Sequence, residues 1–358
     1  MRVPTTLPRV LALLAALLAA VDTARANDSS SELAAGGLVF VRTDAVAIER
    51  EDLSIAPRQV RVRYAMRNAG TAPVTLRLAF PLPPIPADTP GGRAILDAHG
   101  QEVAGNIDLR GFGRPNFVDF TVTADGKPVT PEVEVRAVLP DGRDIAAELR
   151  QIGGWSLLLY PRLYVSNPTP QDMAEYDVGP TILGRLRELG AVGRDKGDDS
   201  YGWPLWRTLV TFHWMQTFRP GVTVIEHSYS PVTGGFWFNR DGNNWKGGAR
   251  GAAASLNDAY CIDAAQDGAL RAMLARADDH YLRAVTLAYV LSTGANWAGP
   301  IRTFHLMLDG ERGPGPDAKV RAILTCTEMP LTRTGPVRLE GTAHDYLPRR
   351  DLNILMVE

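Results

Sequence analysis

His213 and His227 stand on either side of Arg219-Pro220-Gly221, in two strand-like runs, 208–217 and 222–230. If those three residues form a hairpin loop, the two imidazoles lie directly opposite each other and could begin a metal site. A slip of one residue puts them on opposite faces, and the sequence does not fix that register. No third or fourth ligand is marked, and half-exposed strand histidines are the ordinary alternative. Asn239-Arg240-Asp241-Gly242-Asn243-Asn244 has side-chain oxygens at alternate positions, as a calcium loop does. An EF-hand loop needs glycine sixth and a bidentate Glu twelfth. Here Gly242 is fourth and Arg250 twelfth, so the segment reads as a surface turn.

Six of the seven tryptophans fall between 203 and 297. Exposed indole rings bind sugars and peptides by stacking and apolar burial. Trp237 and Trp245 flank the polar 239–244 segment, and with Trp297 they are the candidate binding surface. Trp206 and Trp214, on strand-like runs, read as core. No Gly-x-Ser-x-Gly elbow, His-Glu-x-x-His, Cys-x-x-Cys or phosphate-cradling glycine loop occurs. No catalytic residue, cofactor or metal ligand is therefore assigned. An enzyme, a hydrolase for instance, would need groups that converge only in three dimensions. Asp258, Asp263, Glu226, His213 and His227 are where to look.

The elements that position these residues are mostly strands. In residues 59–68, Val60, Val62, Tyr64 and Met66 alternate with Arg61, Arg63, Ala65 and Arg67, the period of a half-buried strand. A turn at Asn68-Ala69-Gly70-Thr71 precedes a second alternating run, 74–80. Strands at 117–123 and 132–139 flank Asp125-Gly126, a strong hairpin signal. Phe80-Pro81-Leu82-Pro83-Pro84 ends a strand, because proline cannot donate to a ladder. Over 141–200 the period changes. Ile145, Leu149 and Ile152 share one helical face that ends at Gly153-Gly154. Thr169-Pro170 opens another helix, and Ile182, Leu183, Leu186 and Leu189 run to Gly190. The stretch 190–202 reads as a loop. Asp263 with Gln266 forms a capping box for a helix over 264–277. Strand-like runs follow at 282–291, 301–308, 320–327, 337–340 and 352–357.

The expected fold is mainly β, of α+β type. It comprises two β-sandwich-like antiparallel domains, 27–140 and 203–358, with a helical insert over 141–202 and a signal peptide over 1–26. That leader has Arg2 and Arg9, an uncharged run over 10–21, and Ala24-Arg25-Ala26, so cleavage is expected between Ala26 and Asn27. Twelve apolar residues span about 18 Å of helix, short of the roughly 30 Å hydrocarbon layer. No later run reaches the length of a membrane helix. Beyond residue 26 there are 35 basic and 39 acidic residues, a net charge of −4. These charges are interspersed, which argues against a nucleic-acid surface. Cys261 and Cys326 are the only cysteines. In an oxidising compartment an isolated pair reads as a disulfide.

Seven phrases occur in fixed order. The first is Asn27-Asp28-Ser29-Ser30-Ser31-Glu32-Leu33-Ala34-Ala35-Gly36-Gly37-Leu38-Val39-Phe40. The others are Glu51-Asp52-Leu53, Val60-Arg61-Val62-Arg63-Tyr64, Phe80-Pro81-Leu82-Pro83, Tyr260-Cys261-Ile262-Asp263, Thr293-Gly294-Ala295-Asn296-Trp297-Ala298-Gly299-Pro300-Ile301 and Arg350-Asp351-Leu352-Asn353-Ile354-Leu355. Together they resemble the bacterial exported family called domain of unknown function 4424, from Asn27 to the last strand. The resemblance implies export to the periplasm or beyond and structural cysteines, and it brings no catalytic residues. The preferred expectation is a non-enzymatic envelope interaction or scaffold protein whose partner is an envelope protein or a glycan. The alternatives are a carbohydrate- or peptidoglycan-fragment-binding module, or a hydrolase with an unrecognised site.

Overall fold

Alternation of apolar and polar residues pairs strands across great sequence distances here, because each strand must bury one face. A computed structural model gives the fold, and it describes residues 29–34, 37–86, 93–95, 115–159, 180–195, 198–239, 259–277, 281–311, 313 and 319–358. The leader, residues 1–26, lies outside the described residues, as do the Thr169-Pro170 helix start and Asp258.

The protein is mainly β, built from several antiparallel sheets. One sheet runs in the order β10 (Glu132–Val138), β13 (Arg207–Phe218), β5 (Val74–Pro81), β1 (Ser29–Ala34) and β2 (Gly37–Val41), with β6 (Ile85–Pro86) also on β13. The largest sheet has eight strands. Its first four are β19 (Thr332–Gly335), β20 (Arg338–Tyr346), β17 (Ile301–Asp309) and β3 (Val46–Ala56). Then come β4 (Gln59–Asn68), β14 (Gly221–Tyr229), β8 (Thr121–Ala124) and β9 (Lys127–Val129). Only its β17–β3 pair is parallel. A third sheet orders β18 (Ala322–Thr325), β21 (Leu352–Val357), β16 (Tyr281–Tyr289), β15 (Val232–Asn239) and β7 (Arg93–Ile95). Strands from 27–140 and from 203–358 thus share all three sheets.

The turn at 219–221 does not close a hairpin. β13 has both edges taken, by β10 and β5, and β14 has both taken, by β4 and β8. The chain therefore crosses from one sheet to the other through Gly221, whose φ of 109° no other residue type adopts cheaply. The turn after β4 makes the same crossing into β5. Buried Asn68 ties the two crossings together. Its Nδ2 donates to Ala72 O at 2.9 Å and to Phe218 O at 3.0 Å, and its Oδ1 accepts from Gly70 N at 2.8 Å. The Asp125-Gly126 hairpin does form, both residues at positive φ (49° and 73°), as a primed turn requires. It joins β8 to the short β9 rather than to β10, which pairs with β13 instead.

The sheets meet in one core. Leu78, Phe80, Val210, Phe212 and Trp214 pack with Val60, Val62, Tyr64, Phe304 and Leu306, and with Val285, Leu287 and Ile354 of the third sheet. Phe120 stacks on Phe212 at 4.3 Å and on Phe80 at 5.4 Å. The other face of the third sheet is covered by α3 (Ala264–Ala275), where Leu270 and Leu274 meet Leu282, Ala284 and Leu355. The expected capping box starts this helix. Asp263 Oδ1 accepts from Gln266 N at 2.7 Å, and Gln266 Oε1 accepts from Asp263 N at 3.0 Å. Cys261 and Cys326 form the expected disulfide, Cα–Cα 5.0 Å, joining the start of α3 to the end of β18.

Two helices, α1 (Ala146–Leu159) and α2 (Pro180–Glu188), form a smaller core with Ala137, Leu139 and Trp206. The expected stop at Gly153-Gly154 is a kink, with Gly154 at φ 67°, and helix resumes to Leu159. Beyond it, buried Leu157 and Leu158 gain the same core. The stretch read as a loop, 190–202, holds two paired strands, β11 (Val192–Asp195) and β12 (Asp198–Pro204). Ladder bonds, which carry no composition signal, overrode the glycine- and aspartate-rich pattern.

Candidate binding face on the eight-stranded sheet

Outward-facing side chains of β8, β14, β4, β3, β17 and β20 line up across the sheet in two rows. Register pairs place Thr123, Glu226, Arg63, Asp52, His305 and Thr342 in the first. The second holds Thr121, Ser228, Arg61, Ser54, Met307 and Glu340. Members of a row sit on strands about 4.8 Å apart, within reach of their neighbours. Most of these residues line an open groove of about 450 Å³.

Charges alternate along the first row. Arg63 Nε lies 3.3 Å from Glu226 Oε1, and its Nη1 lies 4.0 Å from Asp52 Oδ2. Arg50 grips Asp52 with two hydrogen bonds, at 2.6 and 2.8 Å. His305 sits between two carboxylates, Nδ1 at 3.8 Å from Asp52 and Nε2 at 3.7 Å from Glu340. At the rim, a hydrogen bond from Arg67 holds the Glu49 carboxyl below its usual range, and Arg302 adds to the effect. These pairs are exposed, so each contributes little to stability. Their effect is to fix the direction of each charge.

The structure separates the two histidines singled out in the sequence. His213, on β13, is paired with Glu132 and Ala79, and Arg77 Nη1 lies 3.1 Å from its Nδ1. Burial lowers its pKa, with Arg77 adding to the effect while Glu132 and Glu134 oppose it. His227, on β14, belongs to the other sheet and faces the core, where its ring lies 4.5 Å from Phe80 and 5.3 Å from Phe120. The cross-strand pair imagined for a metal does not exist, because a hairpin between β13 and β14 is blocked on both sides.

Trp297 is fully buried and edge-on to Phe218 at 6.4 Å, so it offers no ring to a ligand. Trp237 is on β15 opposite Arg283. Trp245 and the rest of the 239–244 calcium-like loop after Asn239 lie outside the described residues. Asp263 is occupied as a helix cap, and among the described search residues Glu226 alone lies on the two-row face. Asp52, Arg61, Arg63, Ser54, Ser228, His305 and Glu340 were not singled out. The alternation of Arg61 and Arg63 with Val60 and Val62 marked a polar face on one strand. The rows require the register of six strands, which no local pattern contains.

Among the described residues no helix is long and apolar enough to cross a membrane. No curated protein matches the chain. Among solved structures it is similar to a "putative nutrient binding protein" from Legionella pneumophila subsp. pneumophila str. Philadelphia 1. The identity is 12% and the TM-score 0.36, covering 93% of this chain and 70% of that one. A family model described as domain of unknown function matches residues 26–355, nearly the whole length, and the chain accordingly belongs to that family, DUF4424.

Proposed function

We propose that this chain is an exported, non-enzymatic envelope protein that engages a partner through the two-row face of its eight-stranded sheet. The observation that carries the reading is the ordered alternation of Glu226, Arg63, Asp52 and His305 across four adjacent strands. A fixed pattern of alternating charge gives an interface orientation and selectivity more than raw affinity. Rigid strands hold such groups more firmly than loops do. Export is supported by the basic, apolar and Ala24-Arg25-Ala26 parts of the leader, and by a disulfide of the kind that persists in oxidising compartments.

The test is capture of envelope components by purified mature protein, compared with the double variant Arg63→Ala/Glu226→Ala. Both side chains are about half exposed, so the variant is expected to melt within a few degrees of the parent. It should lose a partner that the parent retains. Identical capture by both proteins would remove this face from the function. N-terminal sequencing of the exported product should begin at Asn27, and an intact Met1 would refute export by cleavage.

A further inference from the structure

The third sheet ends at β18, whose outer edge has no strand partner among the described residues. A groove of about 370 Å³ lies against it, lined by Ala322, Ile323, Leu324 and Thr325 in succession. Successive residues of a strand point to opposite faces of a sheet, so a groove that meets all four runs along the edge itself. At such an edge every second residue leaves its N–H and C=O without a ladder partner. One wall of the groove is α3, through Leu270 and Met273, and the other is the β19–β20 pair, through Leu331 and Leu339. The Cys261–Cys326 bond ties the start of α3 to the residue after Thr325, which fixes that wall beside the edge.

Two other edge strands are guarded against pairing with a foreign chain. β9 carries Lys127 and Pro128, and β10 carries Glu132, Glu134 and Arg136. β18 carries no charge and no proline. Among the described residues, the one charge that lines its groove is Arg333 on β19, and no acid lines it. Arg333 is in register with Leu339, whereas Glu340 is in register with Thr332 and so lies on the opposite face of that sheet. Asp267 is engaged by Arg271, and Asp309 and Glu311 by Arg338. Arg333 Nη1 donates to Pro336 O at 3.0 Å, and the rest of its fork makes no hydrogen bond or ion pair with a described residue.

We infer that this groove binds one extended peptide segment of a partner protein, added as a strand to β18, its side chains apolar but for one acid that reaches Arg333. Main-chain hydrogen bonds to an open edge give affinity, and pockets for alternate side chains give specificity. The four residues of β18 present about 13 Å of ladder. The occupant is a single segment and not a second copy of this chain. A copy's own β18 edge is recessed between the same two walls, which would meet before the two edges did. The site shares no lining residue with the two-row face and stands or falls without it.

The experiment is fluorescence anisotropy on the mature protein with labelled, end-blocked eight-residue peptides. Valine and threonine alternate in them, and one aspartate is moved through the sequence. Saturable binding is expected where the aspartate reaches Arg333. Arg333→Gln in the protein, or asparagine for aspartate in the peptide, should weaken it about fivefold, and both together no further than either alone. N-methylation of alternate peptide amides should abolish binding in one phase and spare it in the other, since only every second N–H of an added strand faces β18. Ala269→Lys, an exposed position that lines the groove, should block the peptide. Ala275→Lys, exposed on the far side of the same helix, should not. No saturable binding by any peptide, or binding indifferent to the phase of N-methylation or to Ala269→Lys, would overturn the site. A dimer seen by sedimentation without peptide and lost in Ala269→Lys would give the edge to a second copy and overturn it too.

Discussion

His227 is an imidazole seated among rings. Phe80, Phe120 and Tyr64 surround it at 4.5 to 5.9 Å, and burial pushes its pKa down from 6.5 to about 3. A base whose folded pKa lies below its unfolded value stabilises the fold fully above the unfolded value. That contribution is lost as pH falls from about 6.5 toward 3, where the unfolded chain binds the proton and the folded one refuses it. Each pH unit within the window costs up to about 1.4 kcal/mol. Urea denaturation at pH 7 and pH 4.5 should therefore show an acid loss that His227→Phe reduces by about 2–3 kcal/mol. Parallel pH profiles for the two proteins would refute this. The sequence could mark His227 as a polar residue on an otherwise apolar strand face. It could not say that a ring from a different sheet, Phe80, completes the surroundings.

At the scale of elements, signals contained within a few residues translated directly. The capping box at Asp263 and Gln266 is the clearest, since all its partners lie within four positions. Asp263→Ala should destabilise the protein by about 1 kcal/mol, read by thermal or urea unfolding. Asp263→Asn, which keeps the acceptor, should recover most of that, and an equal loss in both would exclude capping as the cause. Turns translated only by half. Asp125-Gly126 specified its own backbone and hence a hairpin, yet gave no length for the second strand. The 219–221 and 68–71 turns specified a change of direction. Whether such a turn closes a hairpin or crosses between sheets depends on which strand edges are already filled, and that is a property of distant residues.

Across the whole molecule, the sheets draw strands from both ends of the chain, with β3 beside β17 and β4 beside β14. The disulfide closes a 65-residue separation and ties α3 to the sheet that it covers. Removing it as Cys261→Ser/Cys326→Ser should lower stability by up to about 4 kcal/mol in the chain-entropy account. Dithiothreitol should reproduce the loss in the parent and change nothing in the variant. A parent whose urea midpoint is the same with and without reductant would refute a stabilising role.

The sequence by itself determined the mainly β class, the strands at 59–68, 74–80 and 301–308, the capped helix and the cysteine pair. Each depends on a period, a cap or a count that neighbouring residues carry. Only the tertiary structure decided that His213 and His227 lie in different sheets, that Trp297 is core, and that Arg61 faces a groove between two serines. Register across six strands is set by which faces bury together and which edges remain open. That information is spread from Asp52 to Glu340, so no local reading of the chain contains it.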